Sequence, residues 1–140
     1  MKKSDNNVVS LFEQTNQGVQ KAVLTDSMKM KRGGSLSNPI VAYETWGKLS
    51  KQKDNVVVIL TGLSASSHVA SHSNNSKPGW WEGIVGPDKA IDTNKFYVIC
   101  VNSLGSCFGS TGPASINQIT GEPFRLTFPE LTIDDMATAT

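Results

Sequence analysis

Two segments of small and polar residues, 62–68 and 102–113, carry the groups of this chain that are best suited to chemistry. Each follows an apolar run of the kind that forms a strand. Where the first run ends at Gly62, Leu63 and Ser64, main-chain N–H groups lose their strand partners and point into the space above the sheet. Fixed donors of this kind stabilise the negative charge that develops on a carbonyl oxygen. These segments therefore indicate acyl chemistry, with the chain supplying oxyanion donors.

The sequence shows no matching nucleophile. The elbow motif G-x-S-x-G does not occur, and the closest match, residues 105–109, has Cys107 in the position of the serine. An elbow turns directly from a strand into a helix, whereas here residues 110–113, Ser-Thr-Gly-Pro, continue the loop. A reactive thiolate also needs a paired base or a helix terminus. We therefore interpret Cys107 as a small buried residue and not as a nucleophile.

The two histidines of the chain, His68 and His72, have the i, i+4 spacing at which a helix presents two metal ligands. Zinc sites need three or four donors, and the sequence places no third donor near the pair. We therefore predict no metal site, and favour a loop histidine that orients a neighbour or has no role. Phosphate-binding glycine motifs, of both the P-loop and the dinucleotide type, are absent as well.

Two apolar runs must position the polar loops. Residues 56–60, Val-Val-Val-Ile-Leu, are too few for a helix and precede a Thr-Gly pair, so they predict a strand buried on both faces. Residues 96–101, Phe-Tyr-Val-Ile-Cys-Val, predict a second buried strand. Because a long connection joins them, we expect the strands to lie parallel in one sheet. Both loops would then meet at its carboxyl edge, where such sheets bind ligands.

The flanking segments have weaker patterns. Residues 28–31 and 39–43 surround a glycine turn at 32–35 and predict an antiparallel hairpin with one face in water. Residues 1–20 are interpreted as a flexible arm, and residues 21–140 as a portion of one domain. Thr132, with Asp135 three residues later, predicts the start of a capped helix. Because so short a helix is marginal alone, we expect the chain to be the front portion of a larger domain.

Two adjacent aromatic residues, Trp80 and Trp81, stand between glycines in the long connection. The first interpretation is packing, with one indole in the core and the other on the surface, because large aromatic side chains usually serve packing. The second interpretation is that both indoles form a wall of a ligand cleft. The residues alone leave both open.

Composition excludes several classes of function. A net charge of +1 provides no basic field for nucleic acid. Cys100 and Cys107 match neither a C-x-x-C pair nor a disulfide framework, which favours a reducing compartment. The N-terminus lacks the apolar core of a signal peptide, and no run is long enough to span a bilayer. We therefore expect a cytoplasmic protein without nucleic-acid or membrane partners.

Several blocks of sequence, in order along the chain, carry a resemblance to a known family. The chain resembles the homoserine O-acyltransferases, in particular the homoserine O-acetyltransferase type and its relatives that acylate serine. The matching blocks are A-Y-E-T-W-G at 42–47, L-T-G-L-S-A-S-S-H at 60–68, P-G-W-W-E at 78–82, G-P at 86–87 with I-D-T at 91–93, and N-S-L-G-S-C at 102–107 with the segment 109–117.

The resemblance implies an α/β architecture: the N-terminal part of an α/β-hydrolase fold, with an antiparallel hairpin followed by parallel central strands, as an incomplete domain. It implies a Ser-His-Asp enzyme that moves an acyl group from acyl-CoA to an amino-acid hydroxyl in methionine or cysteine biosynthesis. It places all three triad residues outside this chain, makes the Leu63 amide an oxyanion donor, and makes the loop 102–113 a border of the site.

The expected substrate-binding residues are Gly62, Ser64, Asn102 and Gly105. Acyl-CoA is a co-substrate and no other cofactor is implied, whereas full-length family members are expected to be homodimers. The acyl group, acetyl or succinyl, and the acceptor, homoserine or serine, stay open. The phrases at 61–68 and 102–107 resemble the serine-acylating or succinyl-using branches more than the commonest homoserine acetyltransferases.

Two alternatives remain beside the acyltransferase. The same oxyanion geometry serves water as the acceptor, which would make the parent protein an esterase or thioesterase. A non-catalytic truncated module that acts by interaction is the other. For the 140 residues alone we expect no catalysis, and aggregation or a molten state, because a sheet edge and an apolar face would be exposed.

Overall fold

The structure is a computed structural model that describes residues 18–24, 27–62 and 64–140. Most of the predicted arm, residues 1–17, lies outside these ranges, as do residues 25 and 26 and the predicted oxyanion donor Leu63. The first described strand, β1, already begins at Gln20. No helix among the described residues is long and apolar enough to cross a membrane.

A four-stranded mixed sheet organises the described residues, in the order β1 (Gln20–Val23), β4 (Ile40–Trp46), β8 (Tyr97–Val101) and β5 (Val56–Leu60). Strand β4 runs antiparallel to both β1 and β8. Strands β5 and β8 are parallel over their full length, with Val56 opposite Tyr97 and Leu60 opposite Val101. The predicted parallel pair is confirmed, and the loops after both strands lie at one edge of the sheet.

The predicted hairpin is only half right. Strand β2 (Met28–Lys29) pairs antiparallel with β3 (Ser35–Leu36), not with residues 39–43. Gly33 and Gly34 both have positive φ, and the turn closes with the Gly33 N–H donating to the carbonyl of Met30. This tight turn starts the return strand at Ser35, and β4 is left free to pair with β1.

Strand β5 is a strand as predicted, but it is not buried on both faces. Ile59 is buried on the face toward Trp46, Val69 and Val98, whereas Val58 and Leu60 are 52% and 65% exposed on the other. The strand lies at the edge of the sheet, and its second face is only partly covered by the described residues. All five residues of the strand are apolar, so the sequence could not show that only one face of the strand is buried.

Two apolar clusters occupy opposite faces of the sheet, because alternate residues of β8 point to opposite sides. Val98 and Cys100 join the cluster under the long connection, which contains two short parallel strands, β6 (Val85–Gly86) and β7 (Ile91–Asp92). Val101 joins the second cluster, together with Leu36 and Leu104. The connection crosses as turns and short strands, with no helix among its described residues.

The chain ends in a short helix, α1 (Ile133–Thr138), whose predicted capping box is confirmed. The Thr132 hydroxyl accepts from the Asp135 N–H, while the Thr132 N–H donates to the Asp135 carboxylate at 2.8 Å. The Thr132 hydroxyl also donates to this carboxylate at 2.7 Å, and this bond, with those from the Thr132 N–H and the Lys31 N–H, lowers the pKa of Asp135. The carboxylate thus joins the helix start to the β2–β3 turn.

Candidate functional site

A cavity of about 600 Å³ opens at the carboxyl ends of β5 and β8. Leu60, Thr61 and Gly62 line it from β5, and Ser103, Leu104 and Gly105 from β8. The opposite wall consists of apolar side chains that include Phe128, Leu131 and Met136. The volume lies within the range of small-molecule sites, which are mostly apolar with a few polar groups. This is the candidate active site, and it lies at the predicted edge of the sheet.

Of the predicted site residues, Gly62 and Gly105 line this cavity. A Cβ built on Gly62 meets no atom within 4 Å, and the strand pairing ends at Leu60, two residues earlier. Among the described residues, no partner takes the Gly62 N–H. Leu63 lies outside the described residues, and the exposed Ser64 is not part of the lining. The oxyanion role of this loop stays a prediction.

Asn102 lies beneath the cavity rather than in its wall, and it is buried. Its Oδ1 accepts from the Ser67 N–H at 2.6 Å, and its Nδ2 donates to the Ser67 hydroxyl at 3.0 Å and to the Phe108 carbonyl at 2.8 Å. One side chain therefore joins the loop after β5 to the loop after β8. Its predicted contact with substrate stays a prediction, and the structure gives it a positioning role.

The loop after β8 is also held by hydroxyl groups. The Ser110 hydroxyl donates to the Asn102 carbonyl at 2.6 Å and accepts from the Ala42 N–H at 2.9 Å. The Thr111 hydroxyl accepts from the Ile40 N–H at 2.7 Å. Because these bonds tie the loop to β4, the polar residues of this segment position Gly105 at the cavity.

A buried carboxylate that sequence reasoning missed, Glu44 of β4, connects the first loop to both histidines. The Ser67 hydroxyl donates to its Oε1 at 2.9 Å, and His68 Nδ1 and His72 Nε2 lie 2.8 and 2.9 Å from its Oε2. The available signal was one acid inside the apolar strand 40–46. Sequence spacing could not show that this strand lies beside the histidines.

The two cysteines have different surroundings. Burial, and then the nearby charge of Glu44, raise the pKa of the Cys100 thiol to about 12, so this thiol stays protonated. Cys107 is exposed, and the interpretation of it as a buried residue is wrong. The two histidines bond to Glu44 instead, and the view that Cys107 is no nucleophile stays a prediction.

The tryptophan pair fits neither interpretation fully. Trp80 and Trp81 are 41% and 42% exposed, with ring centroids 5.0 Å apart, so neither indole fills the core. Neither residue lines the 600 Å³ cavity. The Trp80 indole N–H donates to the Ser66 carbonyl at 2.8 Å, which adds another support to the loop after β5.

The mixed sheet with its site at the strand ends is the architecture of α/β-hydrolase proteins, and solved structures of that class match it. An esterase, E22, superposes with a TM-score of 0.74 and 39% identity, over 86% of this chain and 35% of the esterase. A homoserine O-acetyltransferase from Bacillus anthracis gives a TM-score of 0.75 and 35% identity over 86% of this chain and 34% of that enzyme. The expected fold class is confirmed.

Curated relatives are more similar still. A serine O-succinyltransferase of Xanthomonas campestris pv. campestris is 56% identical over 122 residues, 87% of this chain, and one of Frateuria aurantia is 61% identical over 117 residues, 83% of this chain. The chain spans about a third of the length of these relatives, 32% in both cases. No protein-family model matches it. The resemblance to the homoserine and serine O-acyltransferases is confirmed.

Proposed function

We propose that this chain contributes part of the active site of a serine O-succinyltransferase. In that reaction an ester bond forms between the serine hydroxyl oxygen and the succinyl carbonyl carbon, the thioester C–S bond of succinyl-CoA breaks, and the proton ends on the CoA thiol. The observation that carries the proposal is the identity of 56 to 61% with serine O-succinyltransferases over most of this chain. The cavity at the strand ends supports it.

In this proposal the chain supplies binding and charge stabilisation rather than the nucleophile. The main-chain N–H groups at 62–64 stabilise the developing oxyanion in this proposal, with the Leu63 amide assigned that role by the resemblance, and one such donor is worth about 3 kcal/mol of barrier. Asn102 and Glu44 hold Ser67, at the end of the same loop. The resemblance assigns the serine, histidine and aspartate of the triad to polypeptide beyond these residues.

The finer assignments belong to the same proposal. We place the protein in the cytoplasm, with succinyl-CoA as co-substrate, a role in cysteine biosynthesis, and a homodimer as the working form. The two free cysteines, one buried and one exposed, are consistent with a reducing compartment.

A second function is favoured by one observation. Esterase E22 is 39% identical over the structurally matched residues, slightly more than the 35% of the homoserine O-acetyltransferase. An oxyanion loop serves hydrolysis and transfer alike, because the tetrahedral intermediates carry the same negative oxygen. The two functions differ in whether water or an amino-acid hydroxyl takes the acyl group.

A chimera tests the proposal. The matching 117-residue segment of this chain replaces the corresponding part of the Frateuria aurantia enzyme, and release of CoA is followed by thiol detection. We expect succinyl transfer from succinyl-CoA to L-serine, with O-succinylserine found by mass spectrometry. The unmodified enzyme is the matched control, and L-homoserine and acetyl-CoA test the choice of substrates.

Two outcomes would count against the proposal. A folded chimera that prefers homoserine or acetyl-CoA, while the unmodified enzyme does not, would move the assignment to another acyltransferase. A folded chimera that releases CoA at a rate independent of serine, and that hydrolyses simple esters, would favour the esterase.

A further inference from the structure

The only two histidines of the chain meet at one buried carboxylate. Donor atoms of Glu44, His68 and His72 all lie within 4.8 Å of one another. Glu44 is 1% exposed, whereas the imidazoles of His68 and His72 are largely but not fully covered. Two imidazoles and a carboxylate form a ligand set that is well known for zinc.

The hydrogen bonds of His68 show which ring nitrogen carries the proton and which has a free lone pair. Its Nε2 lies 2.8 Å from the Lys77 carbonyl, which can only accept, so Nε2 carries the proton. Asn75 Oδ1 accepts from the Lys77 N–H, which turns the Asn75 Nδ2 donor toward His68 Nδ1 at 3.4 Å. The Nδ1 lone pair therefore faces Glu44 Oε2 at 2.8 Å. Two lone pairs at this distance need a cation between them, either a proton or a metal ion.

His72 provides the third ligand atom for an ion, and it lies beside a cavity through which an ion can reach the three ligands. Its Nε2 lies 2.9 Å from the same carboxylate oxygen. The ring also lines a second cavity of about 430 Å³, together with Trp46, Ser71 and Asn74. An ion could enter by this route, and a water molecule from the cavity could complete its coordination, as in zinc sites with three protein ligands. Two of the ligands are already oriented by further hydrogen bonds, because the Ser67 hydroxyl donates to Glu44 and the His68 Nε2–H donates to the Lys77 carbonyl.

We propose that Glu44, His68 and His72 bind a divalent transition-metal ion, with Zn²⁺ as the expected occupant. Tetrahedral zinc keeps its donor atoms about 3.3 Å apart, so each histidine nitrogen must move about half an ångström away from Glu44 Oε2. The two histidine nitrogens, which lie within 4.8 Å of each other, must adopt the same spacing. On binding, the proton shared by His68 Nδ1 and Glu44 Oε2 is released to solvent, and the ion also displaces from Glu44 the ring proton that His72 Nε2 donates. The ring proton then moves to Nδ1, and the 3.3 Å contact from the Asn74 N–H is lost. This site lies outside the cavity proposed for acyl transfer, although Glu44 also accepts from Ser67 of the loop after β5.

The test is a metal titration of the folded chimera that carries this chain's segment in the Frateuria aurantia enzyme. Zn²⁺ affinity is measured by competition with a chromophoric chelator, and Co²⁺ is used as a probe because its visible absorption reports coordination number. We expect one ion per chain and a four-coordinate Co²⁺ spectrum. Glu44→Gln and His72→Gln should each weaken binding at least about tenfold, since each removes one ligand.

Two control variants distinguish metal binding at this site from metal binding by other thiol or histidine side chains. Cys107→Ser, which removes the exposed thiol, should leave affinity and spectrum unchanged. A variant with both His68→Gln and His72→Gln measures adventitious binding and any binding to unfolded chain. Affinity of the unmodified chimera no better than that of this double variant, or a six-coordinate Co²⁺ spectrum, would overturn the proposal and leave a proton as the shared cation. Near-ultraviolet circular dichroism of each variant without metal separates loss of a ligand from loss of folding.

Discussion

The side-chain amide of Asn102 shows how one residue can define the shape of a site without lining it. It is buried, and its hydrogen bonds join Ser67 to Phe108 across two loops. Removing it would leave a main-chain N–H and a carbonyl without partners in a region closed to water, and each such group costs about 1 to 3 kcal/mol.

We therefore expect Asn102→Ala in the chimera to lower the free energy of unfolding by about 3 kcal/mol. Denaturation in urea measures the change. The exposed Asn94 offers a matched control, and Asn94→Ala should change stability by less than about 0.5 kcal/mol. Similar stability of the two variants would mean that the hydrogen bonds of the Asn102 amide do not stabilise the two loops.

Glu82 leads to a prediction on acid stability. The N–H of Gly79, and then the N–H and hydroxyl of Ser71, donate to its carboxylate and lower its pKa from 4.5 to about 2. A lowered pKa in the folded state gives stability that is fully present above pH 4.5 and is lost as the pH falls toward 2. The melting temperature of the unmodified chimera should therefore exceed that of Glu82→Gln at pH 6, and the difference should shrink between pH 4.5 and 2.

The exposed Glu122 supplies the control, since Glu122→Gln removes the same charge without touching Ser71 or Gly79. A difference in melting temperature between the unmodified chimera and Glu82→Gln that stays constant down to pH 2 would contradict the hydrogen bonds assigned to Glu82.

Among the elements, β5 makes the clearest test of one-sided burial. Val58 and Ile59 are neighbours of similar chemistry, but Val58 is half exposed and Ile59 is buried. In the isolated chain, Val58→Thr should leave the soluble yield unchanged or improved, whereas Ile59→Thr should reduce it. Burying an unpaired hydroxyl costs about 1 to 3 kcal/mol, and an exposed hydroxyl costs little. Equal effects of the two variants would contradict the orientation of the strand.

The sequence allowed some elements to be predicted and not others, for physical reasons. The parallel pair of β5 and β8 was predictable because both are continuous apolar runs. Strand β1 (Gln20–Val23) has four exposed residues and no alternation, so its pairing with β4 depends on tertiary contacts that periodicity does not show. The partners of Glu44 were missed for the same reason, since they lie 24 and 28 residues away.

At the scale of the whole molecule, the chain alone should be inactive. We expect no turnover of serine or homoserine with acetyl-CoA or succinyl-CoA, because the candidate nucleophile Cys107 has no paired base among its described neighbours. Release of CoA measured with excess chain is the check, and Cys107→Ser is the control. Robust turnover that Cys107→Ser abolishes would make this thiol the nucleophile.

The two oxygens of Glu44 serve different parts of the molecule. Oε1 accepts from Ser67, which lies at the end of the donor loop, while Oε2 faces the histidines and the second cavity. A ligand that draws electron density toward Oε2 must weaken the bond at Oε1. If that change reaches the donor loop, occupancy of the two sites is thermodynamically coupled, and by linkage each occupant changes the affinity of the other by the same factor.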